Sequence, residues 1–373
     1  LTEHFSDTWK YLTGEKPETN LENKIYKSPE KSKVVKNYNE LYEIYSKTMN
    51  DSYCVLAEHG VHVDIMGNVK MCCDQNNIDL TVHDTTIEQS YCSTRFDKIR
   101  YDLRNGIRNK ACDTCWNLED KGLSSSRTRM NAGNPNLGSY DGAIRFWDIR
   151  DNNLCNMSCR ICGSQSSSLW NHEAHVHKDK FKTEYFMYAQ GNNPVIGWSA
   201  DTESLFNKQL DNCHSVYFAG GEPLINDTHW KILQTLYDNK KWNVHVRYNT
   251  NLMKTQYKGN DALEIWKSFP KLSVSASIDA VGKLAEYSRT GTTWDTLESN
   301  ILKLLKYHKL QVNITTSILT IHKLDETIKY LQSLGINQVY YFNVLTSPNF
   351  MSVNLLPTDH KKQLWDKLNL KTL

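Results

Sequence analysis

Three cysteines lie close together in the middle of the chain, in the sequence LCNMSCRIC. They are Cys155, Cys159 and Cys162, and they sit between a predicted strand and a predicted helix at 164–171. Thiolates are the preferred ligands of iron–sulfur clusters, and three of them satisfy three irons of a cubane. The spacing therefore predicts a [4Fe–4S] cluster whose fourth iron is open to another ligand. A zinc site and incidental buried thiols are the alternatives.

A glycine-rich segment, FAGGEPL, lies at the end of the second predicted strand, which follows these cysteines in the chain. Gly220 and Gly221 carry no Cβ, so they would let backbone groups approach a ligand closely, and Glu222 comes next. A lone Gly-Gly-Glu is weak evidence. Here, however, it is predicted to lie at the same end of the strands as the cysteine loop, which favours a shared site.

Six apolar runs separated by helical segments must position these residues, and they imply right-handed β/α units with parallel strands. The runs are residues 144–149, 215–220, 243–249, 271–279, 311–319 and 338–344. Six strands are fewer than the eight of a closed (β/α)₈ barrel. We therefore predict an α/β protein with a partial (β/α)₆ barrel, whose working face lies at the strand carboxyl ends. A smaller N-terminal cysteine-rich α+β domain accompanies it.

Composition shifts along the chain predict its domain organisation. Residues 131–142 are rich in Gly, Asn and Pro and are interpreted as a linker. The predicted segments are an N-terminal arm and docking helix at 1–52, a cysteine-rich domain at 53–130, the linker at 131–142, the barrel core at 143–346 and a C-terminal helical tail at 347–373. The polar interval 173–212 within the core is interpreted as an insertion that could face the substrate.

Composition also excludes some classes of protein. Of 373 residues, 39% are hydrophobic, and no apolar run approaches the ~18 residues of a membrane helix. The net charge of +2, from 44 basic and 42 acidic side chains, gives no reason to expect nucleic-acid binding. The first residues do not resemble a secretory signal, so we expect a cytoplasmic protein without a membrane partner. Clustered cysteines in such a protein more often bind metal than form disulfides.

With these motifs in place, the sequence resembles the radical S-adenosylmethionine superfamily. The resemblance rests on CNMSCRIC, AGGEP, YNTNL and VSASID followed by EYSRTG, and it covers residues 143–346. It implies that Cys155, Cys159 and Cys162 hold the catalytic cluster and that S-adenosylmethionine chelates the open iron through its amino and carboxylate groups. One electron from the cluster then cleaves the sulfonium and releases a 5′-deoxyadenosyl radical.

The resemblance also implies contacts to the cofactor. Gly220, Gly221 and Glu222 would hold the methionyl amine, and Arg289 would pair with the methionyl carboxylate through its guanidinium fork. Ile161 stands where family members commonly carry an aromatic residue, and it would supply apolar stacking on adenine. Ser275, Ser277 and Asp279 would lie on the strand that contacts the ribose of the cofactor. Asn251 and Asn313 lie near predicted strand ends and are further candidates, for which a turn or cap role is equally open.

A second set of cysteines precedes the core, and its members are Cys54, Cys72, Cys112 and Cys115. Four thiols brought together by a hairpin and a Cys-x-x-Cys turn can fill a tetrahedral zinc site or bind a [4Fe–4S] cubane. Taken alone, the set favours structural zinc. Cys73 and Cys92 are reserve candidates.

The stretch CVLAEHGVHVDIMGNVKMC shifts that balance, because it resembles the first half of the auxiliary-cluster motif in SPASM and twitch domains. The resemblance implies an auxiliary [4Fe–4S] cluster on the four N-terminal cysteines. Family members usually carry this module after the core, whereas here it precedes the core. Either the order is permuted or the match is to a different cysteine fold.

The resemblance implies a radical S-adenosylmethionine oxidoreductase or maturase that oxidatively modifies a peptide or protein side chain. An electron donor such as flavodoxin or ferredoxin is an expected partner. The alternatives are dehydrogenation or epimerisation of a small carbohydrate-like substrate, a nucleic-acid-modifying radical enzyme, and a non-enzymatic cysteine metalloprotein. The last explains the cysteines but not the barrel motifs.

Overall fold

The structure is a computed structural model that describes residues 52–76, 78–177, 198–336 and 340–368. The predicted N-terminal arm and docking helix, apart from residue 52, and residues 178–197 of the predicted insertion lie outside the described residues. No helix among the described residues is both long enough and apolar enough to cross a bilayer.

One sheet of eight strands is the main architectural feature, and the predicted α/β class with parallel strands is confirmed. The strands of the chain are β1 Gly60–Val63, β2 Val69–Lys70, β3 Phe146–Ile149, β4 Ser158–Cys159, β5 Ser215–Phe218, β6 His245–Thr250, β7 Gln256–Tyr257, β8 Asn260–Asp261, β9 Leu272–Ser277, β10 Arg289–Thr290, β11 Leu310–Thr316 and β12 Tyr340–Val344. The order in the sheet is β12-β11-β9-β6-β5-β3-β1-β2, with its ends open. All six predicted strands are present, and the pairs β4/β10 and β7/β8 form two small separate sheets.

Contacts between Cα atoms divide the chain into two compact units. The described part of the first, here called the core unit, consists of residues 152–177, 218–336 and 340–368. The described part of the second, here called the N-terminal unit, consists of residues 52–76, 78–151 and 198–217. The domain boundaries expected from the sequence stay a prediction.

In the core unit, β6, β9, β11 and β12 pair in parallel. Their residues alternate between two environments, as on β11, where Val312 and Ile314 are buried while Asn313 and Thr315 are half-buried. Such alternation gives each strand one apolar face and one polar face. The helices of this unit are Ser168–Val176, Asp227–Asp238, Ala262–Trp266, Gly282–Ser288, Trp294–Leu305, Leu324–Ser333 and Thr358–Leu368.

In the N-terminal unit, β1 runs parallel to β3, with Gly60 opposite Phe146, and antiparallel to β2. The predicted strand-like run VHVDI thus contributes to the main sheet. The helices are Val55–His59, Ile87–Tyr91, Thr94–Arg104, Asp113–Glu119, Ser126–Gly133 and Ala200–Lys208. The helix Ser126–Gly133 takes up the first three residues of the predicted linker. Its N-cap is Ser125, whose hydroxyl accepts a hydrogen bond from the Thr128 N–H.

Candidate functional site

The three-cysteine loop of the core unit is held by a two-strand pairing at its centre. Cys159 lies in β4, opposite Arg289 in β10. The Cys162 N–H donates to the Cys159 carbonyl at 2.9 Å, which closes a turn and brings the second and third cysteines together. The Arg160 N–H donates to the Ser288 carbonyl at 2.9 Å, so the loop is fixed to the end of the helix Gly282–Ser288.

The helix after the loop holds it from the other side. This helix begins at Ser168 rather than at the predicted residue 164, because Ser167 acts as its N-cap. The Ser167 hydroxyl donates to the Met157 carbonyl at 2.6 Å, and the Trp170 indole N–H donates to the Cys159 carbonyl at 2.7 Å. The Cys155 N–H donates to the Ser168 hydroxyl at 3.2 Å. The loop carbonyls are thereby satisfied by fixed side chains.

The three thiols influence one another electrostatically. Burial raises the pKa of the Cys155 thiol to about 12, and Glu222, Cys159 and Cys162 raise this pKa further, against a hydrogen bond from the Met157 N–H. Burial also raises the pKa of Cys159 and Cys162, the latter to about 11, while nearby Arg289 lowers both. Free thiols in this loop therefore stay protonated at neutral pH. A bound metal would replace these protons, since thiolates are the ligating form.

The Gly-Gly-Glu segment approaches the cysteine loop directly. A Cβ on Gly221 would lie 2.1 Å from the Leu154 carbonyl oxygen and 2.7 Å from the Asn153 carbonyl carbon. The neighbouring Glu222 N–H donates to the same Leu154 carbonyl at 2.7 Å. Gly220 has φ +122°, which side-chain-bearing residues rarely adopt. The missing Cβ of Gly221 therefore accommodates the cysteine loop, and the contact of Gly220 and Gly221 with a ligand stays a prediction.

Gly221→Ala is expected to lower the free energy of unfolding by about 1–3 kcal/mol, the usual cost of forcing an extra methyl group into a packed position. The obstructing atoms are backbone, so the cysteine loop itself must move. Denaturant unfolding measures the effect. Gly133→Ala is the matched control, because a Cβ there meets nothing within 4 Å. Equal stability of the two variants would show that the loop moves without cost.

Glu222 is 2% exposed and binds the end of β6. Its carboxylate accepts hydrogen bonds from the Thr250 hydroxyl at 2.6 Å, the Asn251 N–H at 2.7 Å and the Leu224 N–H at 3.1 Å. Burial nevertheless raises the pKa of Glu222 to about 7, against these hydrogen bonds and the nearby Arg289 charge. A carboxylate accepts about four hydrogen bonds, so one further donor, such as an ammonium group, can be accommodated.

Arg289 forms an ion pair with Asp279 at 2.8 Å between its Nη1 and the carboxylate oxygen. The other Asp279 oxygen accepts the Thr315 N–H at 2.8 Å. The Nε of Arg289 is buried and has no hydrogen-bond partner among the described residues. A buried donor without a partner carries a free-energy cost, which a ligand acceptor such as a carboxylate would remove. Asp279 thus holds the arginine, and its contact with the ribose stays a prediction.

The other candidate cofactor contacts lie on or near the same strands. The Ser275 hydroxyl donates to the Gln311 amide oxygen at 3.0 Å, and the Asn313 amide donates to the Asn249 amide oxygen at 2.9 Å. The Asn251 amide donates to the Asn156 amide oxygen at 2.9 Å, which joins β6 to the cysteine loop. Ser277 and Ile161 are half-buried. Their roles toward a cofactor stay predictions.

The N-terminal unit brings its four predicted ligands into one neighbourhood. Cys54 is the N-cap residue of Val55–His59, Cys72 follows β2, and Cys112 and Cys115 lie at the start of Asp113–Glu119. Burial raises the pKa of all four thiols, to about 11 for Cys54. Cys54 and Cys112 each raise the pKa of Cys72, and Cys54 and Cys115 raise that of Cys112. The four thiols are therefore electrostatic neighbours.

The two reserve cysteines have other surroundings. Cys73 is exposed, next to Asp74, and Cys92 is exposed with its sulfur 3.7 Å from the Tyr140 hydroxyl. Among the described residues of both units, no group of three or more His, Cys, Asp or Glu side chains is arranged to hold a single metal ion. The donor sets nevertheless fit iron–sulfur chemistry by type, with three thiols in one unit and four in the other.

Comparisons with known proteins gave solved structures only. No family model matches the chain, and neither does any curated protein. SuiB of Streptococcus suis bound to S-adenosylmethionine is 12% identical, covers 86% of this chain and 69% of that chain, and has a TM-score of 0.42. SuiB bound to precursor peptide SuiA is 13% identical, covers 84% and 68%, and has a TM-score of 0.41. TYW1 with a lysine-pyruvate adduct bound is 13% identical, covers 61% and 70%, and has a TM-score of 0.30.

At TM-scores of 0.30–0.42 and identities of 12–13%, these likenesses assign no activity or substrate to this chain. The functional assignment therefore depends on the chain's own residues.

Several supporting residues of the core unit were missed by sequence reasoning. Ser167, Ser168 and Trp170 hold the cysteine loop, and Thr250 and Asn156 fix Glu222 and Asn251. The N-cap preference of serine could have placed the helix start at Ser168. The five hydrogen bonds themselves join residues that are 10 to 95 positions apart and had no local signal.

Proposed function

We propose that the chain is a radical S-adenosylmethionine enzyme. The observation that carries the proposal is the setting of the cysteine loop: Cys159 lies opposite Arg289 in the β4/β10 pair, and the Glu222 N–H donates to the carbonyl of Leu154, the residue before Cys155. A [4Fe–4S] cluster held by this loop, together with S-adenosylmethionine, would supply radical chemistry that removes a hydrogen atom from the substrate.

The chain's own residues bind and orient these groups. Cys155, Cys159 and Cys162 would ligate three irons. The remaining acceptor site of Glu222 suits the methionyl ammonium, and the unpartnered Nε of Arg289 suits the methionyl carboxylate. Asp279 holds the guanidinium in place, so it would position Arg289. The polar faces of β6, β9 and β11 offer amides and hydroxyls to the rest of the cofactor.

For the N-terminal thiols we propose an auxiliary [4Fe–4S] cluster on Cys54, Cys72, Cys112 and Cys115. The donor set supports this, because Cys54 and Cys115 are buried, Cys72 and Cys112 are half-buried, and Cys54 and Cys112 each raise the pKa of Cys72. Four thiolates are a usual ligand set of such clusters. A cluster held by these four cysteines would supply a one-electron acceptor there. With one hydrogen atom, one electron and one proton removed, the substrate would lose a hydrogen pair and the net reaction would be a two-electron oxidation. Zinc is the alternative occupant.

The proposed substrate is a peptide or protein side chain, and a flavodoxin or ferredoxin would donate the electron. A small carbohydrate-like substrate is the second candidate. SuiB, one structural neighbour, was solved with a precursor peptide, which is in line with the first candidate. If a short precursor peptide is encoded next to this gene, mass spectrometry of that peptide after incubation with reduced protein and S-adenosylmethionine should show the loss of a hydrogen pair. An unchanged mass would favour the second candidate.

Arg289→Ala is expected to weaken S-adenosylmethionine binding by about 1.5–3 kcal/mol, as is typical for a lost charged hydrogen bond. Isothermal titration of the reconstituted protein measures it. Arg289→Lys is the matched variant, because it keeps a cation beside Asp279 but loses the guanidinium fork. Its affinity for S-adenosylmethionine should lie between those of the parent and Arg289→Ala. Unaltered binding in Arg289→Ala would exclude the carboxylate role. Loss of iron would instead indicate that the ion pair supports the cysteine loop.

A further inference from the structure

Arg127 is a charged residue buried within the N-terminal unit, and only 7% of it is exposed. It lies in the first turn of the helix Ser126–Gly133. Charged side chains are rarely buried to this extent unless they are paired. Neither a substrate contact nor a ligand role accounts for its position.

Three contacts fix the guanidinium. Its Nη1 donates to the Tyr53 carbonyl at 2.8 Å, and its Nε and Nη2 form a two-pronged ion pair with Glu119, with Nε 3.0 Å from the carboxylate. The guanidinium carbon lies 4.6 Å from the centre of the Trp116 ring. Two of these partners are chain neighbours of predicted ligands, because Tyr53 precedes Cys54 and Trp116 follows Cys115.

Arg127 also acts on the thiols themselves. Burial raises the pKa of Cys54 and Cys112, and the Arg127 charge acts against this rise on both thiols. The direction agrees with the position of the guanidinium, which is held by the neighbours of Cys54 and Cys115 in the chain.

We propose that Arg127 is a positioning residue that sets the reduction potential of an iron–sulfur cluster bound by the four N-terminal cysteines. The inference rests on the proposed function, since it requires that these cysteines hold a redox-active cluster. Reduction adds one negative charge to the cluster. A fixed cation in a buried site, where solvent screens little, stabilises the reduced form and raises the potential. Glu119 partly offsets the cation.

The role would allow the auxiliary site to accept an electron from the substrate. Acceptance requires a potential high enough for the transfer to be favourable, and a site with four thiolates carries much negative charge. A buried guanidinium offsets that charge without exposing the site to water. Arg108 also lies over Trp116, 5.2 Å from the ring centre, but it is not a buried cation. Its side chain is 55% exposed and pairs with the exposed Asp120.

The test is an EPR-monitored redox titration of full-length protein in which Cys155, Cys159 and Cys162 are replaced by alanine, so that only the N-terminal cluster contributes. In this background Arg127→Gln is expected to shift the potential downward, and Arg127→Lys should shift it less. Arg108→Gln should coincide with the parent. Glu119→Gln, which removes the offsetting anion, is expected to shift the potential upward.

The outcomes separate this inference from the proposed function. A parent protein without iron, or with zinc, would overturn the auxiliary cluster and the role of Arg127 together. A parent with about four irons whose potential is the same in Arg127→Gln would overturn the role of Arg127 alone. If Arg127→Gln fails to retain iron, the Glu119→Gln titration decides, because an unshifted potential there contradicts the inference and an upward shift supports it.

Discussion

Replacing Cys112 and Cys115 together by alanine is expected to abolish product formation while S-adenosylmethionine cleavage continues. The core thiols are separate ligands, so their cluster should survive unless the N-terminal unit unfolds without its metal. Under the proposed function, hydrogen abstraction would leave one unpaired electron on the substrate. Oxidation would then require an acceptor for that electron and release of a proton, and the auxiliary cluster is the acceptor that we propose.

Measuring 5′-deoxyadenosine and modified substrate side by side tests this expectation. The double variant should contain about half of the parent's eight irons, release 5′-deoxyadenosine and yield almost no product. Cys92→Ala is a matched control, because that exposed thiol contacts Tyr140 and should be dispensable. Circular dichroism checks that the fold is kept. Full product yield from the double variant would reduce the N-terminal site to a structural role and favour zinc.

The second large effect is expected in the core unit. Replacing Cys155, Cys159 and Cys162 together by alanine should remove one cluster and abolish reductive cleavage of S-adenosylmethionine. Three thiols are the whole of the predicted ligand set, so a variant without them has no ligand to hold the irons. The fold should survive, because the loop is held by backbone pairing of β4 with β10 and by Ser167 and Trp170, none of which requires sulfur.

The strands could be predicted because each carries a local signal. Residues 310–316 alternate between apolar and polar side chains, and the structure has β11 there. The pairing of β1 with β3 carries no such signal. These strands lie some eighty residues apart in the chain and pair in parallel, so their adjacency depends on packing of the whole unit. The run VHVDI was therefore interpreted as part of a separate domain.

The site could be predicted by residue type but not by contact. The cysteine spacing identifies the ligand set, and Gly-Gly-Glu marks a close approach. That the approaching group is the Leu154 carbonyl follows only from the folded chain. Likewise, Asp279 and Arg289 are recognisable as charged residues near a strand end. The second contact of Asp279, a hydrogen bond from the Thr315 N–H, comes from another strand and follows only from the folded chain. Nothing local distinguishes Arg127 from the other arginines of the N-terminal unit.

The central claim is that the core cysteines generate a radical from S-adenosylmethionine. The direct measurement is the release of 5′-deoxyadenosine from anaerobically reconstituted, dithionite-reduced protein, quantified by liquid chromatography and mass spectrometry. Parent protein is expected to release it, and the variant with alanine at Cys155, Cys159 and Cys162 is expected to release none. Equal release from the two proteins, or none from a parent that carries its full iron content, would contradict the account.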